Sequence, residues 1–184
     1  MHRKRKYYFI RHAESIGNAQ GYHQGHADFP LSDLGILQAE KLAECLSSEA
    51  INPDLLLSSR LSRASQTAEI IGSRLQIDVE LSPLWMERNS GKLNGMLVEE
   101  THEIYENEDN KPLYEPVGKT GESIWDLYFR AGEALQSLLR SGVECALVVT
   151  HGGLLNLVFY HIFGISIQAD FRGPDFRFRN ASIS

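Results

Sequence analysis

A chain of 184 residues with 42% hydrophobic content can bury the core of one compact domain, read here as spanning residues 1–184. Its 18 Lys and Arg against 24 Asp and Glu give a formal net charge of -6, which argues against a nucleic-acid footprint but permits a locally positive pocket. No apolar run approaches the ~20 residues of a membrane span, and the four apolar residues between MHRKRK and Arg11 are too few for a secretory signal.

The chain therefore reads as a cytoplasmic protein with no membrane or nucleic-acid partner. Cys45 and Cys145, each in an apolar context, read as reduced thiols rather than a disulfide framework.

Tyr7–Ile10 is predicted as a first strand, apolar on both faces as in a covered parallel sheet. A polar loop is expected from Ser15 to Pro30. A helix then enters at Ser32 or Asp33, with Ile36, Ala39, Leu42, Ala43 and Leu46 on its buried face. DLLLSS at Asp54–Ser59 reads as a strand, RASQTAEIIGSRL as a helix, and IDVELSPLW as another strand. Glu99–Pro116 is acidic and aperiodic, so residues 97–118 are expected to form a lid-like excursion.

Glu122 to Arg140 is the longest amphipathic pattern, with Ile124, Leu127, Tyr128, Ala131, Leu135 and Leu138 facing inward. ECALVVTHGG is a strand that ends at Thr150-His151, and Leu154–Phe163 forms an apolar helix. This alternation predicts an α/β fold in three layers, with a mostly parallel central sheet flanked by helices.

In such sheets ligands sit beyond the carboxyl ends of the strands. Three strands end in chemistry: Arg11-His12, Ser58-Ser59 and Thr150-His151. Two histidines, arginines and a carboxylate on one rim suit phosphoryl transfer. A neutral imidazole attacks phosphorus, arginine forks stabilise charge on the equatorial oxygens, and a carboxyl such as Glu87 or Glu14 protonates the leaving oxygen. Arg63 near a helix start opposes the helix dipole, which an anion bound there would explain. His23 and His26 form an H-x-x-H that lacks a good third ligand, so loop chemistry is the better reading than zinc.

Five blocks in order carry a family resemblance: RHAES with Asn18, QGHADFPLSDLGILQA, SSRLSRASQTAE, GES at Gly121–Ser123 and VTHGG at Val149–Gly153. The chain resembles the histidine phosphatase superfamily, also called phosphoglycerate mutase-like. The resemblance implies His12 as the phosphorylated nucleophile, with Arg11, Arg63 and His151 around the phosphoryl group and Asn18 in contact with it. It further implies Glu87 as proton donor, donors near Gly152 and Ser123, and no metal or other cofactor.

Ala13 stands where the family usually has glycine, and Arg60 where it has proline. NASIS resembles the start of the family's last strand, the rest of which the chain lacks. The GHADFPLS loop and the short segment from Glu87 to Gly121 resemble the broad-specificity phosphatase branch, and hence a small phosphorylated substrate. The alternatives are mutase-type phosphoryl transfer, a phosphohistidine protein phosphatase and a non-catalytic binding protein. Tyr22–Phe29, Trp85, Tyr105 and Tyr114 are expected to select the substrate's other half.

Overall fold

The computed structural model describes residues 5–101, 112–168 and 173–184. Four strands form the central sheet: β1 (Lys6–Arg11), β3 (Leu55–Ser58), β4 (Val79–Leu81) and β6 (Cys145–Thr150). Their order is β1-β6-β3-β4, and every pairing is parallel. On the other side of β1 the last residues run antiparallel, with Phe9 and Ser184 exchanging backbone hydrogen bonds and Ile10 bridging Ile183.

Period-two alternation sends successive side chains to opposite faces. Phe9, Ala146 and Val148 pack against α4 (Ile124–Arg140) and α5 (Gly152–Phe163), through Leu127, Ala131, Leu135, Leu154 and Val158. Ile10, Leu56, Leu147 and Val149 pack against α2 (Asp33–Ser48) and α3 (Ser62–Leu75), through Leu42, Leu46, Ala64, Ala68 and Ile71. The expected three layers are therefore present, with a core on each side of the sheet.

Local chemistry sets the helix starts. The Ser32 side chain caps α2 by accepting from Gly35 N–H, and Ser123 caps α4 in a reciprocal capping box with Asp126. Ile36 does not join the buried face of α2 but is 42% exposed; Gly35 lies on that face instead, its backbone hard against Glu14.

The expected Ser15–Pro30 loop contains a short helix, α1 (Ile16–Ala19), and a strand, β2 (Tyr22–His23), which pairs antiparallel with β5 (Met96–Leu97). A two-residue strand offers no periodicity to read. IDVELSPLW is a strand only over β4; Pro83 then opens a 3-10 turn through Trp85.

Cys45 is exposed rather than apolar in its surroundings, and both thiols are free. Trp85 is 1% exposed and packs on Phe9, so it belongs to the core rather than to a substrate-selecting surface. Tyr105 and residues 102–111 of the expected lid lie outside the described residues. No described helix is long and apolar enough to cross a membrane.

Candidate active site

The register of the sheet builds one wall of the site. Arg11 is paired with Thr150, and Ser58 with Val149, so the residues that follow each strand emerge together. His12 N–H donates to Thr150 O (2.9 Å) and Ser59 N–H to Val149 O (3.0 Å), extending the ladder one step past each strand. The imidazoles of His12 and His151 then face each other, ring centroids 5.1 Å apart. Both rings are buried, as is Arg63.

His12 Nδ1 lies 2.7 Å from Ala13 O. A carbonyl only accepts, so in the neutral ring Nδ1 carries the proton and Nε2 keeps its lone pair. The seat is braced from behind: Ala13 N–H donates to Thr67 Oγ1 (3.1 Å), and Asn180 Nδ2 donates to His12 O (3.0 Å). Ala13 is buried and lies outside the left-handed region, so alanine is unstrained where glycine is usual.

Arg63 turns back from the first turn of α3, and its two Nη groups donate to Gly25 O (2.8 Å) and Ala27 O (3.0 Å). These carbonyls offset a cation placed against the helix dipole. Arg11 Nη1 donates to Phe178 O (2.6 Å), and His151 Nε2 pairs with Ser59 Oγ (2.8 Å). In each case one polar atom is left over: Arg11 Nε, Arg63 Nε and His151 Nδ1 are buried without a hydrogen-bond partner. Such an orphan costs about 1–3 kcal/mol, and three in one cluster mark a place built for an anion.

Burial, reinforced by the Arg63 and Arg11 guanidinium charges, holds the pKa of His12 well below the usual imidazole range. Burial, Arg63 and His12 do the same for His151. Both rings are therefore neutral near neutral pH. Burial lowers Arg63 to about 10, against the opposing pull of Glu87, and it stays charged. Burial also lowers Arg11, again opposed by Glu87.

Glu87 forms the facing wall. Its Oε1 accepts from Arg88 N–H (2.9 Å) and Leu154 N–H (3.0 Å), and its Oε2 from Gly153 N–H (3.0 Å). The carboxylate thus occupies the N-terminus of α5, whose N-cap, His151, makes no side-chain cap. A Cβ on Gly153 would lie 2.5 Å from Glu87 Oε1, so this approach requires glycine. Gly152 also borders the cluster: a Cβ built there would lie 3.7 Å from Arg11 Nε.

Other expected residues are placed differently. Ser123 is engaged at the start of α4: its hydroxyl donates to Asp126 Oδ2 (2.6 Å) and accepts from Asp126 N–H, and its own N–H donates to Asp126 Oδ2 (3.1 Å). Asn18 caps α1 with Oδ1, which also lies 3.3 Å from Asn180 Nδ2, so it is joined to the support of His12. Glu14 accepts from Ser32 Oγ (2.7 Å), in a structural role. His23 meets Ser90 Oγ and His26 meets Glu87 O, each at 2.7 Å, and no metal-holding cluster occurs among the described residues.

Sequence reasoning placed Ser59 on the rim without giving it a role, and it missed Asn180, Arg130 and Glu122. Ser59 stood inside a quoted block and at a strand end, which was signal enough. Arg130 lies on the polar side of an amphipathic helix, where an arginine reads as a solvated charge.

Comparison with known proteins agrees with this geometry. Residues 7–184 match the profile of the histidine phosphatase superfamily (branch 1). A Proteus mirabilis protein named as a probable phosphoglycerate mutase, GpmB, is 34% identical over 182 residues, covering 96% of this chain and 82% of its own. The structure of Bacillus stearothermophilus YhfR superposes with a TM-score of 0.82 at 27% identity, over 96% of this chain and 88% of that one. A mycobacterial glucosyl-3-phosphoglycerate phosphatase, solved with VO3, gives 0.78 at 25% identity over 97% and 89%. The chain belongs to the histidine phosphatase superfamily, branch 1, and with it to the phosphatase class of enzymes.

Proposed function

We propose that the chain is a phosphomonoesterase that hydrolyses small phosphorylated metabolites through a phosphohistidine on His12. The observation that carries this reading is the trio of buried, unpartnered nitrogens on Arg11, Arg63 and His151 around an imidazole whose Nε2 lone pair is free to attack. The phosphoryl oxygens would take those donors. Ser59 Oγ accepts from Leu61 N–H and pairs with His151 Nε2; with the hydroxyl proton given to Nε2, neutral His151 would carry its own proton on Nδ1, as a donor. Asn18, through Nδ2, and the Gly152 N–H at the start of α5 would complete the cradle.

In the first step His12 Nε2 forms a bond to phosphorus while the bond from phosphorus to the ester oxygen breaks. The leaving oxygen takes a proton from Glu87, whose Oε2 accepts from a single backbone N–H and has a lone pair to hold that proton. In the second step water attacks the phosphohistidine, gives its proton back to Glu87 and releases inorganic phosphate. Positioning and fixed charge supply most of the acceleration.

The test is phosphate release from a panel of phosphomonoesters in EDTA, together with acid-quenched labelling of the protein by a 32P-ester. Release and label that survive chelation but vanish in His12→Ala support the reading; no release and no label from any ester would sink it. The name of the Proteus relative favours one second reading, transfer of the phosphoryl group to a phosphoglycerate acceptor. Under it, adding that acceptor would divert label from inorganic phosphate to a new ester.

A further inference from the structure

We infer that Arg130, with Glu122 as its counter-ion, is the positioning residue for Glu87; the inference rests on the proton-transfer role given to Glu87 above. Arg130 projects from α4, yet all five of its N–H donors are engaged with the segment that carries Glu87 or with Glu122. Nη1 donates to Leu84 O (2.9 Å) and Met86 O (2.7 Å), and Nη2 to Glu87 O (3.1 Å). Nε and Nη2 form a two-pronged pair with Glu122 Oε1 and Oε2, both at 2.7 Å. The pair is largely shielded, at 18% and 15% side-chain exposure.

Glu122 extends the grip. Its backbone O accepts from Arg88 Nε (2.9 Å), its N–H donates to Asn89 O (2.7 Å), and its Oε2 accepts from Asn89 N–H (3.3 Å). Residues 84–89 have almost no regular backbone pairing of their own. Three anchor points on one planar guanidinium, the carbonyls of Leu84, Met86 and Glu87, replace it, and the fixed fork sets the direction in which the chain passes residue 87. From that position Glu87 can reach Gly153 N–H and Leu154 N–H. A lysine has one nitrogen, which cannot hold three carbonyls and a carboxylate in a plane.

The test compares wild type with Arg130→Lys, Arg130→Gln and Glu122→Gln by amide exchange and by leaving-group dependence. Exchange at Gly153 and Leu154, the amides bound to Glu87, rises about tenfold in the Arg130 variants while deeper α5 amides such as Leu157 and Val158 keep their protection. For an alkyl phosphate such as glycerol phosphate, whose leaving oxygen needs a proton, kcat/KM falls about a hundredfold. For p-nitrophenyl phosphate, which departs without one, kcat/KM, which reports only the steps up to the phosphohistidine, falls less than about threefold.

Unchanged Gly153 and Leu154 protection overturns the inference, as does loss of protection along the whole of α5. Equal loss of kcat/KM on both esters overturns it as well. Glu122→Gln, which keeps the shape of the partner, guards against a variant that fails to fold. A wild type inert on both esters counts against the phosphatase reading instead, and the positioning claim then stands or falls on the two amides alone.

Discussion

The two walls of the site are held by different physics. His12, Ser59 and His151 stand where they do because β1, β6 and β3 are in register, and each continues its ladder one residue past the strand. Glu87 stands on a segment that belongs to no sheet, gripped by Arg130, by His26 on its carbonyl and by Thr150 Oγ1 on Trp85 O (2.6 Å). A ladder distributes its hold over many backbone bonds. A clamp concentrates it in one or two side chains, so single substitutions should loosen the Glu87 wall and leave the strand wall standing.

The largest effect is expected on the strand wall, from the nucleophile itself. His12→Ala should lower phosphate release by roughly a thousandfold or more without unfolding the protein; activity within tenfold of wild type would remove His12 from the reaction. Gly153→Ala probes the opposite wall. The new methyl meets Glu87 Oε1 and pushes the carboxylate off α5, so kcat/KM for alkyl phosphates should fall about a hundredfold while His12 still labels. An equal fall in kcat/KM on alkyl and nitrophenyl esters would show that the two walls do not divide the work.

Thr150→Val keeps the shape but strands the Trp85 carbonyl in a buried place. Urea denaturation should register a loss of about 1–3 kcal/mol, with the rate much less affected. A stability within 0.3 kcal/mol of wild type, taken as roughly the resolution of such a comparison, would mean that the loop does not depend on this bond.

The smallest effect is a pH slope. Both site imidazoles titrate well below the ordinary value of about 6.5 in the folded protein. Above that value neither state binds the protons. Below it the unfolded chain takes up protons that the folded one refuses, so stability falls with pH from about 6.5 down to the depressed native values. Each imidazole contributes up to about 1.4 kcal/mol per pH unit. Denaturation midpoints measured from pH 7.5 to 5 check this, and a flat profile in that window would contradict the burial of the two rings.

The same contrast explains what could be read from residues alone. The strand wall was legible because an apolar run that ends in Arg11-His12 or Thr150-His151 places its chemistry by backbone geometry, and β pairing needs only the run and the sheet type. Three layers, the helix capped at Ser32 and the faces of α4 follow from the same periodicities. The clamp was not legible. Arg130 is seven residues into a helix whose pattern is satisfied without it, and its partners are backbone carbonyls, which every residue has.

Ser123 was expected near the phosphate, and its capping role was the part not read. A serine before an apolar helix is first a cap, and here Asp126 completes the capping box. Trp85 was expected near the ligand because aromatics bind well; the proline turn before it drives the ring into the core instead.

One consequence concerns the order in which the chain is made. Within the described sheet the strand that delivers His12 comes first in the chain, yet its ladder partner is β6, and further supports of His12 and Arg11 come from Asn180 and Phe178. Nothing made before residue 145 can pair with β1 on its β6 side, so β1 waits for a partner far along the chain. Such distant pairing carries a large loop-closure cost and slows folding. It also ties catalytic competence to completion: the nucleophile is written early and seated late, and a chain interrupted midway carries the reactive residue without the site.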